Sequence, residues 1–394
     1  MASINHQYRG GCWPTPEQEL LLRAALLEGE ASLKAWRAWK STLDFDHIDP
    51  GSQRLVPLLY HNLQRQGVKD PLMGKFKGHS RRAWYRNQLL FAQGADLLRA
   101  FHEAGIKTMI LKGAALVSRH YEHASQRPMN DFDVLVPTEQ VQTALMILKK
   151  RHWTPKFSSY EKFTPTYLST RHAHGFEDAK KSGFDLHWNV LIECSGPDAD
   201  DEFWQGGVST HVQGVPTLAL NPADQLLHVC VHGIRWNPIP PLRWVADVMT
   251  ILNTSPEIDW NRLVMQASQR RLLLPLREAL TYLRELLDAP IPPAILTTLQ
   301  QMRLSKAERL EYQVNTSWRG PTRVLPMHWF LYLRHSPSTS TLPQQLIGFP
   351  KYLQHLWAVE HLWQLPFFMA SKGKRRMTSW SRTQFASILR QRGQ

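Results

Sequence analysis

The sequence predicts an α+β protein in which a small mixed β-sheet is embedded between two helical modules. Short apolar runs from Thr108 to Leu111 and from Asp131 to Val136 have the composition of buried strands. The segments on either side carry apolar residues at helical spacing. We therefore predict three parts: a helical N-terminal module over residues 1–100, a sheet-bearing core over 101–215, and a helical C-terminal module over 216–394 with a basic, aromatic end.

Four helical patterns predict the N-terminal module. Thr15-Pro16 is a typical helix start, because threonine caps a helix and proline suits its first position. Further patterns run from Leu33 to Leu43, from Leu55 to Leu63 and from Arg82 to Glu103. On the last of them, the predicted buried side carries Leu89, Leu90, Ala95, Leu97, Leu98 and Phe101.

The core and the C-terminal module combine strands with further helices. Thr138 to Arg151 is predicted to be a helix capped by its threonine. His174 to Glu177 is predicted to form a hairpin with a third strand, Phe184 to Asn189. Helical patterns then return, interrupted by prolines, and cover the segments from Pro222, from Leu242 to Leu252, and over 259–301.

The composition excludes several classes of protein. The 394 residues are 43% hydrophobic and 20% charged, which is typical of folded domains and not of disordered chains. Three cysteines, Cys12, Cys194 and Cys230, are odd in number and far apart, which suits a reducing compartment. No apolar run has the length of a signal peptide or a membrane span. The sequence predicts a soluble, cytoplasmic protein.

The pair of carboxylates Asp131 and Asp133 is the main chemical signal. Side chains alternate along a strand, so both acids lie on one face while Phe132 and Val134 lie on the other. Two adjacent carboxylates repel each other unless a cation lies between them, and Mg²⁺ prefers such oxygen ligands. The alternative is that Asp131 only caps a turn after Asn130.

Two further features accompany this pair. About twenty residues earlier, Lys112-Gly113 turns a strand into a helix, and the free N–H groups of such a turn form an anion site. About fifty residues later, a strand places Asp185 and His187 on one face. The turn and the pair of Asp131 and Asp133 predict a phosphate site beside two carboxylates, the layout of metal-assisted nucleotidyl transfer.

These residues resemble the DNA polymerase beta-like nucleotidyltransferase superfamily, and more closely a bacterial branch of uncharacterised nucleotidyltransferases. The matching pieces are Leu111-Lys112-Gly113, Arg127, Asp131-Phe132-Asp133-Val134-Leu135-Val136 and Asp185-Leu186-His187-Trp188. The resemblance implies Mg²⁺ or Mn²⁺ held by Asp131, Asp133 and Asp185, with a nucleoside triphosphate as substrate. It also implies transfer of a nucleoside monophosphate to a hydroxyl acceptor, which the sequence leaves open.

The same resemblance assigns roles to the surrounding residues. Asp185 also accepts the proton of the incoming hydroxyl. Lys112, Gly113, Ala114, Arg127 and His187 are the residues expected to bind the nucleotide, and His187 would orient Asp185 or touch the acceptor. The wider superfamily has Gly-Ser where this chain has Gly113-Ala114, so a phosphate-binding hydroxyl is missing and Lys112 or Arg127 would replace it. For Arg127 a surface loop position is the alternative, and for His187 a satisfied histidine at a strand end.

A group of polar residues in the C-terminal module gives a less specific functional signal. His228 and His232 have a spacing that binds zinc, but no third ligand is evident, so we favour a place in the cleft or in the core. His232, Arg243 and Asp247 also resemble positions of the branch, which implies a substrate cleft. An Arg243–Asp247 pair on one helix face is the simpler interpretation.

The C-terminal end carries most of the basic character. The net charge is +14, and residues 312–394 hold eleven Lys and Arg against one acid, Glu360. Aromatic residues beside cations are typical of an RNA-binding surface or an anionic membrane interface, and a solvated tail is the alternative. The aromatic and basic residues concerned are Trp357, Trp363, Phe367, Phe368, Lys372, Lys374, Arg375 and Arg376.

The sequence therefore allows two other functions as alternatives to an enzyme. One is a catalytically silent nucleotide-binding or regulatory protein with the same fold, which the Gly113-Ala114 departure allows. The other is a nucleic-acid-binding accessory protein built on the basic end.

Overall fold

The computed structural model describes residues 11–196, 198–316, 324–337, 339–357 and 359–371. Lys372, Lys374, Arg375 and Arg376 of the basic end lie outside the described residues. No helix in the described ranges is both long and apolar enough to cross a membrane.

The N-terminal part is helical, as predicted. Thr15 caps the first helix through a reciprocal pair of hydrogen bonds with Gln18. Leu89 is an error in the predicted buried side of the longest helix, because it is about half exposed to solvent. The helices are α1 (Pro16–Leu26), α2 (Gly29–Thr42), α3 (Pro50–Gln53), α4 (Val56–Arg65) and α5 (Met73–Glu103).

A seven-stranded mixed sheet forms the centre of the molecule, which confirms the predicted α+β class. In spatial order the strands run β3-β4-β5-β2-β1-β7-β6. The β2–β5 and β1–β7 pairs are parallel, and the other neighbours are antiparallel. The strands are β1 (Met109–Ile110), β2 (Asp131–Leu135), β3 (Thr154–Pro155), β4 (Ala173–Glu177), β5 (Gly183–His187), β6 (Val208–Val212) and β7 (Val215–Ala219).

Short helices connect the strands. The predicted helix from Thr138 starts later than expected, because Thr138 hydrogen-bonds the carbonyl of Trp188 and begins a 3-10 turn instead of capping. The predicted hairpin is confirmed, with β4 and β5 antiparallel. The connecting helices are α6 (Lys112–Arg119), α7 (Val141–Lys150), α8 (Pro165–Ser169) and α9 (Asp201–Gln205).

The C-terminal part returns to helices that pack against the N-terminal ones. Trp13 contacts both Trp244 and Tyr282, with ring centroids 6.0 and 4.9 Å apart. One apolar core therefore joins the two helical parts, and a second lies beneath the sheet around Phe132 and Phe184. The helices are α10 (Pro222–Gly233), α11 (Arg243–Thr254), α12 (Trp260–Gln269), α13 (Leu273–Leu287), α14 (Pro293–Gln301), α15 (Lys306–Thr316), α16 (Val324–His335) and α17 (Leu342–Leu356).

Candidate metal and nucleotide site

The parallel pairing of β2 and β5 brings the predicted acids together. Asp133 lies directly opposite Asp185, and Asp131 lies opposite Gly183. One ligand atom from each of Asp133, Asp185 and His187 lies within 4.8 Å of the other two. This spacing suits one divalent ion, because carboxylate oxygens and an imidazole nitrogen are common ligands of such ions. Asp131 is on the same face but outside this group of three.

Lys112 and His187 both contact the central carboxylate. The Lys112 ammonium donates to Asp133 Oδ1 at 2.7 Å, and His187 Nε2 lies 3.0 Å from the same oxygen. His187 therefore contacts Asp133, whereas we expected it beside Asp185 or the acceptor. Its buried Nδ1 has no well-aligned hydrogen-bond partner among the described residues, although the backbone of Asn189 lies close to the ring. A nitrogen in that state is consistent with a role at a ligand site.

The electrostatics of the three acids differ. Burial raises the pKa of Asp185, and the negative charges of Asp133 and Asp131 raise it further. The pKa of Asp131 is raised in the same way, by burial and by Asp133. Burial also opposes ionisation of Asp133, but the interactions with Lys112 and His187 are stronger than this effect and lower the pKa of Asp133. One lysine thus neutralises one acid and leaves two carboxylates without a cation of their own.

The helix that follows β1 places its first turn beside these acids. Lys112 has φ of 44°, a left-handed conformation that costs a lysine free energy and is typical of functional sites. Gly113 lines the cleft, whereas the side chain of Ala114 is fully buried in the core beneath the sheet. The side chain of Ala114 therefore faces away from the cleft. Its backbone N–H is the group that this residue contributes to the anion site at the first turn of α6.

Arg127 forms a buried ion pair that the sequence analysis did not predict. Its guanidinium donates from Nε and Nη2 to the two oxygens of Asp247, at 2.7 and 2.9 Å, and Tyr121 donates to Oδ1 at 2.7 Å. Arg127 and Asp247 are both buried, so the surface-loop alternative for Arg127 is wrong. The predicted Arg243–Asp247 pair is also wrong, because Asp247 bonds Arg127 and Arg243 donates instead to the carbonyl of Pro128 at 3.1 Å.

Gly113 makes room for this pair. A Cβ at Gly113 would lie 2.7 Å from Arg127 Nη1 and 3.1 Å from the side chain of Met129. Because both nitrogens that bond Asp247 are fixed, the guanidinium cannot move away without breaking the pair. The glycine of the predicted phosphate turn is thus required for close packing.

A cleft of about 260 Å³ opens from the carboxylates toward the helices. Its floor includes Lys112, Gly113, Asp131 and Asp133. Its other walls come from α10, α11, the loop between them, and α3 with the residue that follows it. The wall residues include Arg54, His228, His232, Asn237, Arg243 and Trp244.

The two histidines of α10 lie in the wall of this cleft. Burial lowers the pKa of His228 to about 3, and nearby positive charges act in the same direction. Among the described residues, no third His, Cys or acid joins His228 and His232 in a metal-binding group. A place in the cleft, the interpretation we favoured over zinc, agrees with this arrangement.

Lys156 and Arg54 are charged residues near the site that the sequence analysis missed. Lys156 extends across β4 and β5, and its Nζ lies 3.3 Å from where Gly183 would carry a Cβ. Its charge acts on both Asp131 and Asp185. Gly175 and Gly183 were the available signal, because a glycine inside a strand marks a close approach. Nothing comparable marks Arg54, which lies just before a helical pattern that begins at Leu55.

A match to a known family of proteins covers both the sheet and the cleft. The model of a family described as uncharacterised nucleotidyltransferases matches residues 51–288, which is more than half of the chain. The protein belongs to this family, and membership indicates transferase activity on a nucleotide. No curated protein matches the chain at a significant level.

Two solved structures share parts of the fold. A lincosamide antibiotic adenylyltransferase, solved with lincomycin, is 13% identical over 33% of this chain and 79% of its own, with a TM-score of 0.24. An antigenic nucleotidyltransferase-like protein from Paracoccidioides brasiliensis is 15% identical over 55% of this chain and 95% of its own, with a TM-score of 0.35. At these values neither structure informs the substrate of this chain.

Proposed function

We propose that the protein transfers a nucleoside monophosphate from a nucleoside triphosphate to a hydroxyl acceptor, with Mg²⁺ or Mn²⁺. In this proposal it is a bacterial, cytoplasmic member of the DNA polymerase beta-like superfamily. The observation that carries the proposal is the convergence of Asp133, Asp185 and His187 on neighbouring parallel strands. These residues lie beside a cleft whose floor includes the first turn of α6.

The reaction balances without any redox partner. The acceptor hydroxyl oxygen forms a bond to the α-phosphorus, the bond from that phosphorus to the bridging oxygen of the β-phosphate breaks, and pyrophosphate leaves. Asp185 lies opposite Asp133 on the neighbouring strand and accepts the hydroxyl proton as the general base. Asp131, Asp133 and Asp185 would hold a divalent ion, which would supply positive charge to the reacting phosphate.

The remaining residues hold the nucleotide. The backbone N–H groups of Gly113 and Ala114, in the first turn of α6, donate to phosphate oxygens. Lys112, which contacts Asp133, would be released to the phosphates if a bound cation neutralised that carboxylate. Arg127 stays paired with Asp247 and supports the turn at Gly113 from behind. His187 orients Asp133 through the contact at 3.0 Å.

The test uses triphosphates labelled at one phosphate. Each of the four ribonucleoside triphosphates, labelled at the α- or the γ-position, is incubated with the protein, Mg²⁺ or Mn²⁺, and fractionated cell extract. The proposal predicts that α-label moves to an acceptor fraction while γ-label is released as pyrophosphate. Asp133→Asn is the inactive control. Transfer of the γ-label instead would indicate a kinase and contradict the proposal.

A second function is favoured by the Lys112–Asp133 contact. A lysine ammonium already neutralises the central acid, which is also how a protein without a metal would stabilise it. A silent nucleotide-binding or regulatory protein would bind triphosphate but move no label with any of the four nucleotides. The labelling test therefore separates the two functions.

We also propose that the C-terminal end attaches the protein to an anionic membrane where an acceptor lies. The described part of this end exposes aliphatic as well as aromatic side chains, which suits lipid better than RNA. Removing residues 372–394 should lower binding to anionic vesicles at low salt, and RNA binding instead would assign the end to nucleic acid. The exposed side chains are Leu342, Leu346, Ile347, Leu362, Trp363 and Phe367.

The division into a helical module over 1–100, a core over 101–215 and a helical module over 216–394 is likewise a proposal. Residues of all three parts line the cleft beside the sheet.

A further inference from the structure

Two arginines lie in the cleft without a full set of partners. Arg54 follows α3 and precedes α4, and its guanidinium forms no hydrogen bond or ion pair with another described residue. Arg243 begins α11 and donates only to the carbonyl of Pro128, at 3.1 Å. Both line the same 260 Å³ cleft as Asp131 and Asp133. Two guanidinium groups from different helical parts thus face one cavity with donors to spare.

The two charges are close enough to repel each other. Burial lowers the pKa of Arg243 to about 10, and the positive charges of Arg127 and Arg54 lower it further. Arg127 is neutralised by Asp247, and Lys112 by Asp133. Neither Arg54 nor Arg243 forms an ion pair with a described residue, so both guanidinium groups can bind an anion with several oxygens.

The position of the phosphate turn decides which anion this is. In the proposed function the first turn of α6 binds the phosphates of the donor, and Gly113 of that turn lines the same cleft as Arg54 and Arg243. An anion that binds at the turn and extends into the cleft therefore meets both arginines. A triphosphate has this form, because its β- and γ-phosphates extend beyond the α-phosphate.

We propose that Arg54 and Arg243 bind the β- and γ-phosphates of the donor and hold them as pyrophosphate leaves. This assignment rests on the proposed function and makes it more specific. The donor must carry a free diphosphate beyond its α-phosphate, which selects nucleoside triphosphates over monophosphates and nucleotide sugars. It also gives the N-terminal helices a role in the site, and the family match begins at residue 51, just before Arg54.

The experiment measures the affinity of Arg54→Met for Mg²⁺-nucleoside triphosphate, monophosphate and pyrophosphate by calorimetry. Losing one charge-assisted contact should weaken triphosphate and pyrophosphate binding about ten- to a hundredfold and leave monophosphate binding unchanged. Arg54→Lys should recover part of the loss. Arg82→Met, at an exposed position of α5, is the matched control for net charge. Arg243→Lys tests the second arginine with less risk to folding.

Each outcome decides a different claim. Unchanged triphosphate and pyrophosphate affinity in Arg54→Met would overturn the assignment and leave the proposed function standing. An equal loss for monophosphate would also overturn it, because the arginine would then serve another part of the nucleotide. A wild-type protein that binds neither triphosphate nor pyrophosphate with Mg²⁺ would overturn the proposed function, and this assignment with it.

Discussion

Two groups of buried charges meet at Gly113, and they are built differently. On one side, Arg127 and Asp247 form a one-to-one pair with two parallel hydrogen bonds and an added bond from Tyr121. On the other, Asp131, Asp133 and Asp185 have one direct ion pair among the described residues, from Lys112 to Asp133. The first group is neutral by itself and the second needs another cation. The balanced pair therefore supports the fold, while the unbalanced acids make a ligand site.

Breaking the balanced pair should have the largest effect. Arg127→Met leaves Asp247 buried without its cation, and removing one partner of a buried pair typically costs about 3–5 kcal/mol. Urea denaturation measures the change in the free energy of unfolding.

The matched control for Arg127→Met is Arg37→Met, whose partner Glu30 is exposed at the surface, and this should cost less than about 1 kcal/mol. Equal costs for the two variants would contradict a structural role for Arg127.

Removing the lysine from the unbalanced group should make stability depend on metal. Lys112→Met leaves three carboxylates without their nearest cation and should cost about 1.5–3 kcal/mol in metal-free buffer. Excess Mg²⁺ should restore the loss, because an ion that binds only the folded state stabilises it. Thermal unfolding with and without Mg²⁺ measures this.

In Lys40→Met, which breaks a surface pair with Asp70, Mg²⁺ should change Tm no more than in the wild type. An increase in Tm on adding Mg²⁺ that is no larger for Lys112→Met than for this control would contradict the prediction.

Gly113 connects the two groups, so a methyl there should disturb both. Gly113→Ala places a Cβ 2.7 Å from Arg127 Nη1 and should cost about 1–3 kcal/mol through overpacking. Chemical denaturation of this variant is compared with Gly78→Ala in α5, where a Cβ meets nothing within 4 Å. The control should gain up to about 1 kcal/mol from helix propensity. A similar increase in the free energy of unfolding for Gly113→Ala and Gly78→Ala would show that Arg127 is free to move.

Asp200 is a further buried acid, and its substitution should have the smallest and most selective effect on stability. It accepts hydrogen bonds from Asn189 and Val190 but forms no ion pair with a described residue, and burial raises its pKa to about 7. The folded state therefore holds this proton more tightly than the unfolded state, with its ordinary pKa near 4. The stability from Asp200 is complete below about pH 4 and is lost as the pH rises to about 7.

Asp200→Asn cannot ionise, so its free energy of unfolding should fall less between pH 4 and pH 7 than that of the wild type. Urea titrations at several pH values measure the difference. Parallel pH profiles of the two proteins would contradict the assignment of this dependence to Asp200.

The sequence predicted what depends on local pattern. Strand alternation placed Asp131 and Asp133 on one face, and the structure has Phe132 buried on the other. The hairpin of β4 and β5 follows from two apolar runs around a polar turn, and is confirmed. The α+β class follows from the same patterns.

Local sequence pattern could not predict the contacts between segments that are distant in the chain. The partner of Arg127 is 120 positions away on α11, and no spacing rule connects the two. Arg243 and Asp247 have the correct spacing for an ion pair, but the stronger bidentate contact from Arg127 takes the acid. Leu89 fits the helical pattern, yet it lies on a part of α5 that no other element covers well enough to bury it.

The central claim is that the unbalanced acids bind a divalent ion. Electron paramagnetic resonance of Mn²⁺ measures this directly, since bound Mn²⁺ loses the sharp signal of the free ion. We expect the wild type to bind Mn²⁺ and the Asp133→Asn, Asp185→Asn double variant, still folded by circular dichroism, to bind at least about tenfold more weakly. Equal binding by the wild type and the double variant would contradict the claim.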